Sequence, residues 1–217
     1  MNIYENTNDR KNLLDVDHTI ICHNTKALKA SHPEVRRLKR VSAPQSAHGN
    51  KIWRSSFVLI DYLNTYPPEV EASILEVGCG WGLTGIYLAK HYAANVTALD
   101  IDSTVEPFLE LQALENKTDV TFRLGDFASL SAADLKPYDT VIGADICFWD
   151  DLVEPLCDFI KLSLSVGVNR IIIADPGRPP FWTLCDIAVE QLNGEVLTRR
   201  IDKPIKTEKF ILSIENK

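Results

Sequence analysis

Ile74-Leu75-Glu76-Val77-Gly78-Cys79-Gly80-Trp81-Gly82-Leu83-Thr84-Gly85-Ile86 is an apolar run that breaks into alternating glycines and then resumes with helical spacing. It reads as strand, tight loop and helix. Glycines at 78, 80 and 82 take away the side chains that would hold a ligand off the backbone, and they admit positive φ where the chain turns. The unpaired N–H groups opening the next helix then face that ligand. A loop of this kind after a first strand predicts a nucleotide-like cofactor, with a ligand-free glycine turn as the lesser alternative.

Outward from this loop, short apolar runs alternate with helix-length segments, the signature of a parallel sheet covered by helices. The runs predict strands at 73–77, 95–99, 119–124, 139–143, 169–174, 195–201 and 208–214. Thr140-Val141-Ile142 and Ile171-Ile172-Ile173 are β-branched, as expected of sheet centres buried on both faces. The link Asp202-Lys203-Pro204-Ile205-Lys206-Thr207 is too short for a crossover helix, so the last pair is antiparallel. The fold class is therefore α/β: a doubly wound, Rossmann-like, seven-stranded sheet, mostly parallel with an antiparallel last strand, plus an N-terminal helical arm.

Residues 1–50 form that arm and 51–217 the main domain. The arm carries weak periodicity and reads as irregular or partly mobile, apart from a short basic helix from Pro33 to Val41 and a loop from Ser42 to Asn50. Ser55 or Ser56 can cap a following helix whose apolar face holds Phe57, Ile60 and Leu63, and Pro67-Pro68 stops it. That helix is expected to cover the first strand.

With 217 residues the chain can bury a substantial single core. No apolar run approaches the roughly 18 residues of a membrane span, and Met1-Asn2-Ile3-Tyr4-Glu5-Asn6 has no signal-peptide pattern, so a cytoplasmic protein is expected. Cys22, Cys79, Cys147, Cys157 and Cys185 form no Cys-x-x-Cys pair, and the five histidines lack ligand spacing, which argues against a metal site or disulfide framework. Cys79 and Cys147 read as packing residues near the cofactor. The net charge of −7 argues against nucleic acid as a partner, although Glu34 to Arg54 is locally basic and reads as a solvated helix face, with phosphate binding or partner docking as the lesser alternative.

Two cofactors compete for the glycine loop. Gly80-x-Gly82-x-x-Gly85 fits the dinucleotide fingerprint, itself a weak signal. Glu76-x-Gly78-x-Gly80-x-Gly82 resembles the first motif of class I S-adenosylmethionine (SAM) methyltransferases, in which the loop wraps the methionine part of the cofactor. The chain after Gly85 is used up by one sheet, leaving no second domain for a dinucleotide enzyme's substrate, and the strand pattern from 73 to 217 resembles the class I methyltransferase fold. SAM is therefore the expected cofactor.

Ligands in such sheets lie beyond the strand C-termini. Asp100, about 20 residues past the loop, has the position of a ribose ligand, and Asp102 suits a helix cap. The resemblance implies that Asp126 accepts from the adenine amino group and that Phe127 flanks the ring, with a Gly-Asp turn as the competing reading. Ala144-Asp145-Ile146-Cys147-Phe148 is similar to the Asp-x-x-Tyr motif of the seven-β-strand protein lysine methyltransferases, a group that includes the electron-transfer flavoprotein β-subunit lysine methyltransferase. This likeness implies that Asp145 holds the acceptor amine, that Ala144 lines the cofactor, and that Phe148 stands where the family has tyrosine. Asp175-Pro176-Gly177-Arg178-Pro179 resembles a loop of the same group. Trp53 matches the tryptophan of its Trp-Pro segment, which packs on the cofactor, with Arg54 replacing the proline; a core-plugging role competes.

Phe148, Trp149, Phe181 and Trp182 are expected to line a channel for an aliphatic stem, and Asp150, Asp151, Glu154 and Asp158 to draw a basic substrate; Asp150, Asp151 and Glu154 also read as opening the next helix, which is compatible with that role. The expected activity is N-methylation of a protein lysine. A small-molecule amine as acceptor, and a SAM-binding protein without turnover, remain as alternatives.

Overall fold

The computed structural model describes residues 18–43 and 49–216. The first part of the arm and Pro44 within the expected 42–50 loop lie outside them. The main sheet contains β3 (Ser73–Val77), β4 (Asn95–Asp100), β5 (Thr121–Leu124), β6 (Thr140–Ala144), β7 (Arg170–Asp175), β8 (Gly194–Ile201) and β9 (Thr207–Glu215) in the order β5-β4-β3-β6-β7-β9-β8. All seven expected strands are present, with ends that move by two residues or fewer. Only β9 runs antiparallel, wedged between β7 and β8 and registered from Gly194 opposite Ile214 to Ile201 opposite Thr207.

Strand alternation sends successive side chains into two cores. Leu75, Val77, Val141, Ile171 and Ile173 point to one face, packed by α5 (Ala132–Leu135), α6 (Val153–Ser165) and α7 (Pro179–Gln191). Ile74, Ile142 and Ile172 point to the other, packed by α2 (Arg54–Thr65) and α3 (Leu83–Tyr92). Burial on both sides explains why β6 and β7 are unbroken β-branched runs. The order reverses between β3 and β6, and the strand ends there open a crevice.

Two expectations for α2 are corrected. Its N-cap is Trp53, with no side-chain cap bond, because Ser55 is buried inside the first turn. Its buried face of Phe57, Ile60 and Leu63 lies mainly over β6, β7, β8 and β9 rather than over β3. The helix does end at Thr65, before Pro67.

The described part of the arm holds more regular structure than its weak periodicity suggested. β1 (Thr19–Cys22) and β2 (Thr25–Leu28) form an antiparallel hairpin, and α1 (Pro33–Val41) follows, capped by His32. Val35 of α1 and Leu28 of β2 pack with Trp81 of the glycine loop and Phe108 of α4 (Glu106–Asn116). Four-residue strands give too few positions to show a period, so long-range contact decides them.

Candidate active site

The loop after β3 is pinned from three directions. Cys79 N–H donates to Leu99 O of β4 at 3.0 Å, and Gly80 N–H donates to Asp100 Oδ2 at 2.8 Å. Glu76, 3 % exposed, accepts from Gly85 N–H at 3.0 Å and so ties the strand to the base of α3. A methyl on Gly85 would lie 2.6 Å from Glu76 Oε2 and 2.8 Å from Val96 Cγ1, so glycine there permits the helix to approach the sheet. Gly80 has φ +53°, and a Cβ on it would meet only open space. Trp81 is stacked on Phe108 with ring centroids 5.2 Å apart, and its Nε1–H donates to Gly49 O at 2.9 Å.

These elements enclose a cavity of about 370 Å³ at the sheet's switch point, within the usual range for small-ligand sites. Eleven residues that the sequence marked for the cofactor or the acceptor line it: Trp53, Glu76, Gly78, Gly80, Gly82, Asp100, Asp126, Phe127, Ala144, Asp145 and Phe148. Lys51, Ile52 and Leu152 join them without having been marked. They belong to no motif, and folding alone brings them there.

Asp100 accepts from two backbone amides, Gly80 N–H and, at 3.0 Å, Asp102 N–H. Burial pushes its carboxyl above the ordinary range, and those N–H donors pull the other way. Asp102 is the cap expected of it, receiving Thr104 N–H at 2.9 Å. Asp126 caps a short 3₁₀ turn through Ala128 N–H at 2.9 Å, as its turn reading expected, and it also lines the cavity. Burial raises the Glu76 carboxyl to about 8, with the Gly85 N–H opposing.

On the opposite wall Asp145 closes β6, 5 % exposed and with φ +58°. Its N–H donates to Ala174 O at 2.8 Å, and its Oδ1 pairs with Arg178 Nη1 at 2.8 Å. Arg178 also lies over the Phe148 ring, 4.3 Å from its centroid. The Phe148 ring meets Trp53 edge to face at 5.6 Å, and Lys51 Nζ sits 4.2 Å from the Trp53 ring. The contact between Trp53 and Phe148 joins the segment before α2 to the loop after β6. Arg178 was quoted in the sequence without a role. The Asp175-x-x-Arg178 spacing ahead of a proline-started helix was the available signal for an ion pair.

The expected aromatic channel is corrected. Phe148 lines the cavity, but Phe181 is wholly buried in the core under α7. Trp182 packs on Phe181 and Phe210, and Trp149 is 61 % exposed outside the cavity lining. Asp150 and Asp151 open a 3₁₀ turn and Glu154 the first turn of α6, the helix-opening reading. Cys79 is pushed well above the usual thiol range and Cys147 to about 12, both chiefly by burial, which suits packing and not nucleophilic attack.

The donor set fits a nucleoside with a short charged tail. Asp100 closes β4 and Asp126 follows β5 with Phe127 next to it, and among the described residues Lys51 is the one basic side chain in the lining, too few for a pyrophosphate.

The sequence and fold have known counterparts. The chain is 30% identical over 134 residues to the electron transfer flavoprotein beta subunit lysine methyltransferase of Homo sapiens, covering 59% of this chain and 49% of that protein. The Xenopus laevis protein of that name is 27% identical over 131 residues, covering 59% and 52%. The chain thus spans about half the length of these relatives. Among solved structures, the N-methyltransferase NodS from Bradyrhizobium japonicum WM9, in complex with S-adenosyl-L-homocysteine, shares the fold. Its TM-score is 0.56 at 16% identity, over 75% of this chain and 85% of that one. A ribosomal protein L11 methylase from Lactobacillus delbrueckii subsp. bulgaricus gives 0.57 at 18%, over 76% and 79%. The pattern of the family described as lysine methyltransferase matches residues 36–178, which take in the glycine loop, every acid of the cavity and Arg178. The chain belongs to the lysine methyltransferase family.

Proposed function

We propose that the chain binds SAM in this cavity and transfers its methyl group to the side-chain amine of a protein lysine. The observation that supports this most directly is the convergence on one cavity of the glycine loop, Asp100 and the buried Asp145, in a member of this family. When bound, SAM supplies an electrophilic sulfonium methyl. The glycine loop takes the methionine part, Asp100 the ribose hydroxyls and Asp126 the adenine amino group. Phe127, Ala144 and Trp53 pack against the cofactor, while Glu76 holds the loop to α3.

Methyl transfer asks the protein for alignment and exclusion of water more than for new chemistry. The acceptor must reach the methyl as a free amine, although lysine is almost fully protonated near neutral pH. In this reading Asp145 accepts an N–H of the amine and turns its lone pair toward the methyl. A carboxylate at this distance favours the ammonium, so Asp145 positions the amine and does not act as a strong base.

The relatives named for the electron transfer flavoprotein beta subunit motivate the choice of a protein acceptor. A small amine is the second reading, favoured by the contacting Lys51, Trp53 and Phe148 side chains in the cavity wall. Residues 51–217 form the methyltransferase domain in this proposal and residues 1–50 an arm, whose described part braces the loop through Trp81. A cytoplasmic setting is supported by the five unpaired, buried cysteines. No helix among the described residues is long and apolar enough to cross a membrane.

The test is incubation with methyl-labelled SAM, the flavoprotein β-subunit from the same source and a panel of small amines. Label on a lysine of the protein supports the first reading. Label confined to small molecules supports the second, and no transfer despite SAM binding refutes both.

A further inference from the structure

We infer that Arg178 is the positioning residue of the acceptor site: it orients the Asp145 carboxylate and lowers the proton affinity of the amine that Asp145 receives. This rests on the lysine reading above and deepens it.

Arg178 is itself tightly placed. It is the residue before α7, which starts with Pro179. Asp175, fully buried at the end of β7, accepts Gly177 N–H at 2.8 Å and Arg178 N–H at 2.9 Å through Oδ1. Its Oδ2 accepts Arg178 Nη1–H at 2.7 Å. One buried carboxylate therefore fixes both the backbone and the head of the same arginine. The guanidinium then pairs with Asp145 Oδ1 at 2.8 Å and lies on the Phe148 ring at 4.3 Å. Its side chain is only 22% exposed, so little water screens these contacts.

Two consequences follow for the acceptor. First, Asp145 Oδ1 is occupied, which directs the acceptor amine to Oδ2. Because Asp145 sits at φ +58°, where few residues rest, its direction depends on the partners that hold it. Second, two carboxylates share one guanidinium, leaving a net charge of −1 and room for a single cation. The guanidinium stands on the far side of Asp145 from that cation and disfavours its protonated form, offsetting the pull of the carboxylates.

The other charged groups around the site have other contacts. Lys51 Nζ lies on the Trp53 ring, which meets Phe148, and Glu76, Asp100, Asp102 and Asp126 line the same cavity, where the proposed function gives them to the cofactor and its loop. Asp150 opens the turn that follows, and Cys147 beside it is held protonated near neutral pH. Among the described residues Arg178 is thus the cation in direct contact with the acceptor carboxylate. It also covers the ring that lacks the family tyrosine's hydroxyl, so the wall at Phe148 is completed by stacking.

The test is the pH dependence of kcat from 6.5 to 10 for wild type, Arg178→Gln and Arg178→Lys. The assay uses the flavoprotein β-subunit as acceptor at saturating SAM. S-adenosylhomocysteine affinity by calorimetry serves as the control for folding. In Arg178→Gln the acid limb moves alkaline by about one unit or more, and kcat at pH 7 falls at least about tenfold. Arg178→Lys keeps the charge and returns the limb close to wild type, although its rate stays lower because the fork and the stacking are lost. A parallel drop at every pH with an unmoved limb overturns the inference, as does a Lys variant whose limb shifts as far as that of the Gln variant. If the Gln variant fails to bind the product cofactor, the Lys variant is compared with wild type alone, and a limb moved alkaline by about one unit or more overturns the inference. A crystal structure of Arg178→Gln provides an arm independent of turnover: an Asp145 carboxylate that keeps its position refutes the orienting role. Absence of lysine methylation by the wild type, by contrast, refutes the proposed function and leaves that crystallographic arm standing.

Discussion

Gln112 on α4 binds both backbone groups of Leu28 on β2: its Nε2–H donates to Leu28 O at 2.9 Å, and its Oε1 accepts Leu28 N–H at 2.9 Å. One turn later Asn116 does the same for Lys26, with both bonds at 2.8 Å. Two amide side chains thus act as a neighbouring strand for the open edge of the hairpin. Gln112 is wholly buried, so replacing it with leucine leaves a backbone donor and acceptor without partners. We expect Gln112→Leu to lose about 2 to 4 kcal/mol in urea unfolding. Amide exchange at Lys26 and Leu28 should accelerate; unchanged exchange there would refute the bracing role of α4.

Gly80 and Gly85 are expected to fail differently when changed to alanine. At Gly80 the new methyl enters open space in the cavity, and the left-handed backbone costs about 1 to 2 kcal/mol. Calorimetry should show SAM affinity reduced about tenfold or more, with the fold retained. At Gly85 the methyl collides with Glu76 and Val96, so the loss appears in stability, about 1 to 3 kcal/mol. Equal SAM affinity in wild type and Gly80→Ala would displace the cofactor from the loop.

Asp145→Asn keeps the shape of the side chain but removes the charge that faces the acceptor. The expected result is a fall in kcat of at least about 100-fold with SAM affinity changed by less than about threefold. A variant that loses cofactor binding in parallel with turnover would show instead that Asp145 serves the cofactor. Radiolabel transfer and calorimetry on the same preparation separate the two outcomes.

Glu76 gives the protein a pH dependence of stability with a defined sign. Its folded value, about 8, lies above the unfolded value near 4.5, so the native state keeps a proton that the unfolded chain has released. Stability is then greatest below about pH 4.5 as far as this group contributes. It declines as pH rises toward 8 and levels off beyond. The slope from this group reaches about 1.4 kcal/mol per pH unit at most. In Glu76→Gln, whose carbonyl can still accept Gly85 N–H, the difference between urea midpoints at pH 5 and pH 8 should shrink. A difference equal to that of wild type would place the titrating group elsewhere.

Much of this protein was legible in its sequence because the governing interactions are local or periodic. The glycines after Val77, the β-branched runs of β6 and β7 and the six-residue link before β9 each limit what the backbone can do. An acid at the end of a parallel strand reaches the switch point by virtue of its place alone, which is why Asp100, Asp126 and Asp145 all line one cavity. What the sequence left undetermined depends on contacts between distant positions. The hairpin of Thr19–Leu28 exists through Gln112 and Asn116, 84 and 90 residues away, and four-residue strands carry no period of their own. Phe181 and Trp182 are aromatic neighbours, yet the rotation of α7 against β7 and β9 buries one and leaves the other at the surface. The Arg178 guanidinium meets Asp145 only once β6 and β7 lie side by side, for a side chain's partner is settled by packing in three dimensions, while its chemistry is settled by its identity.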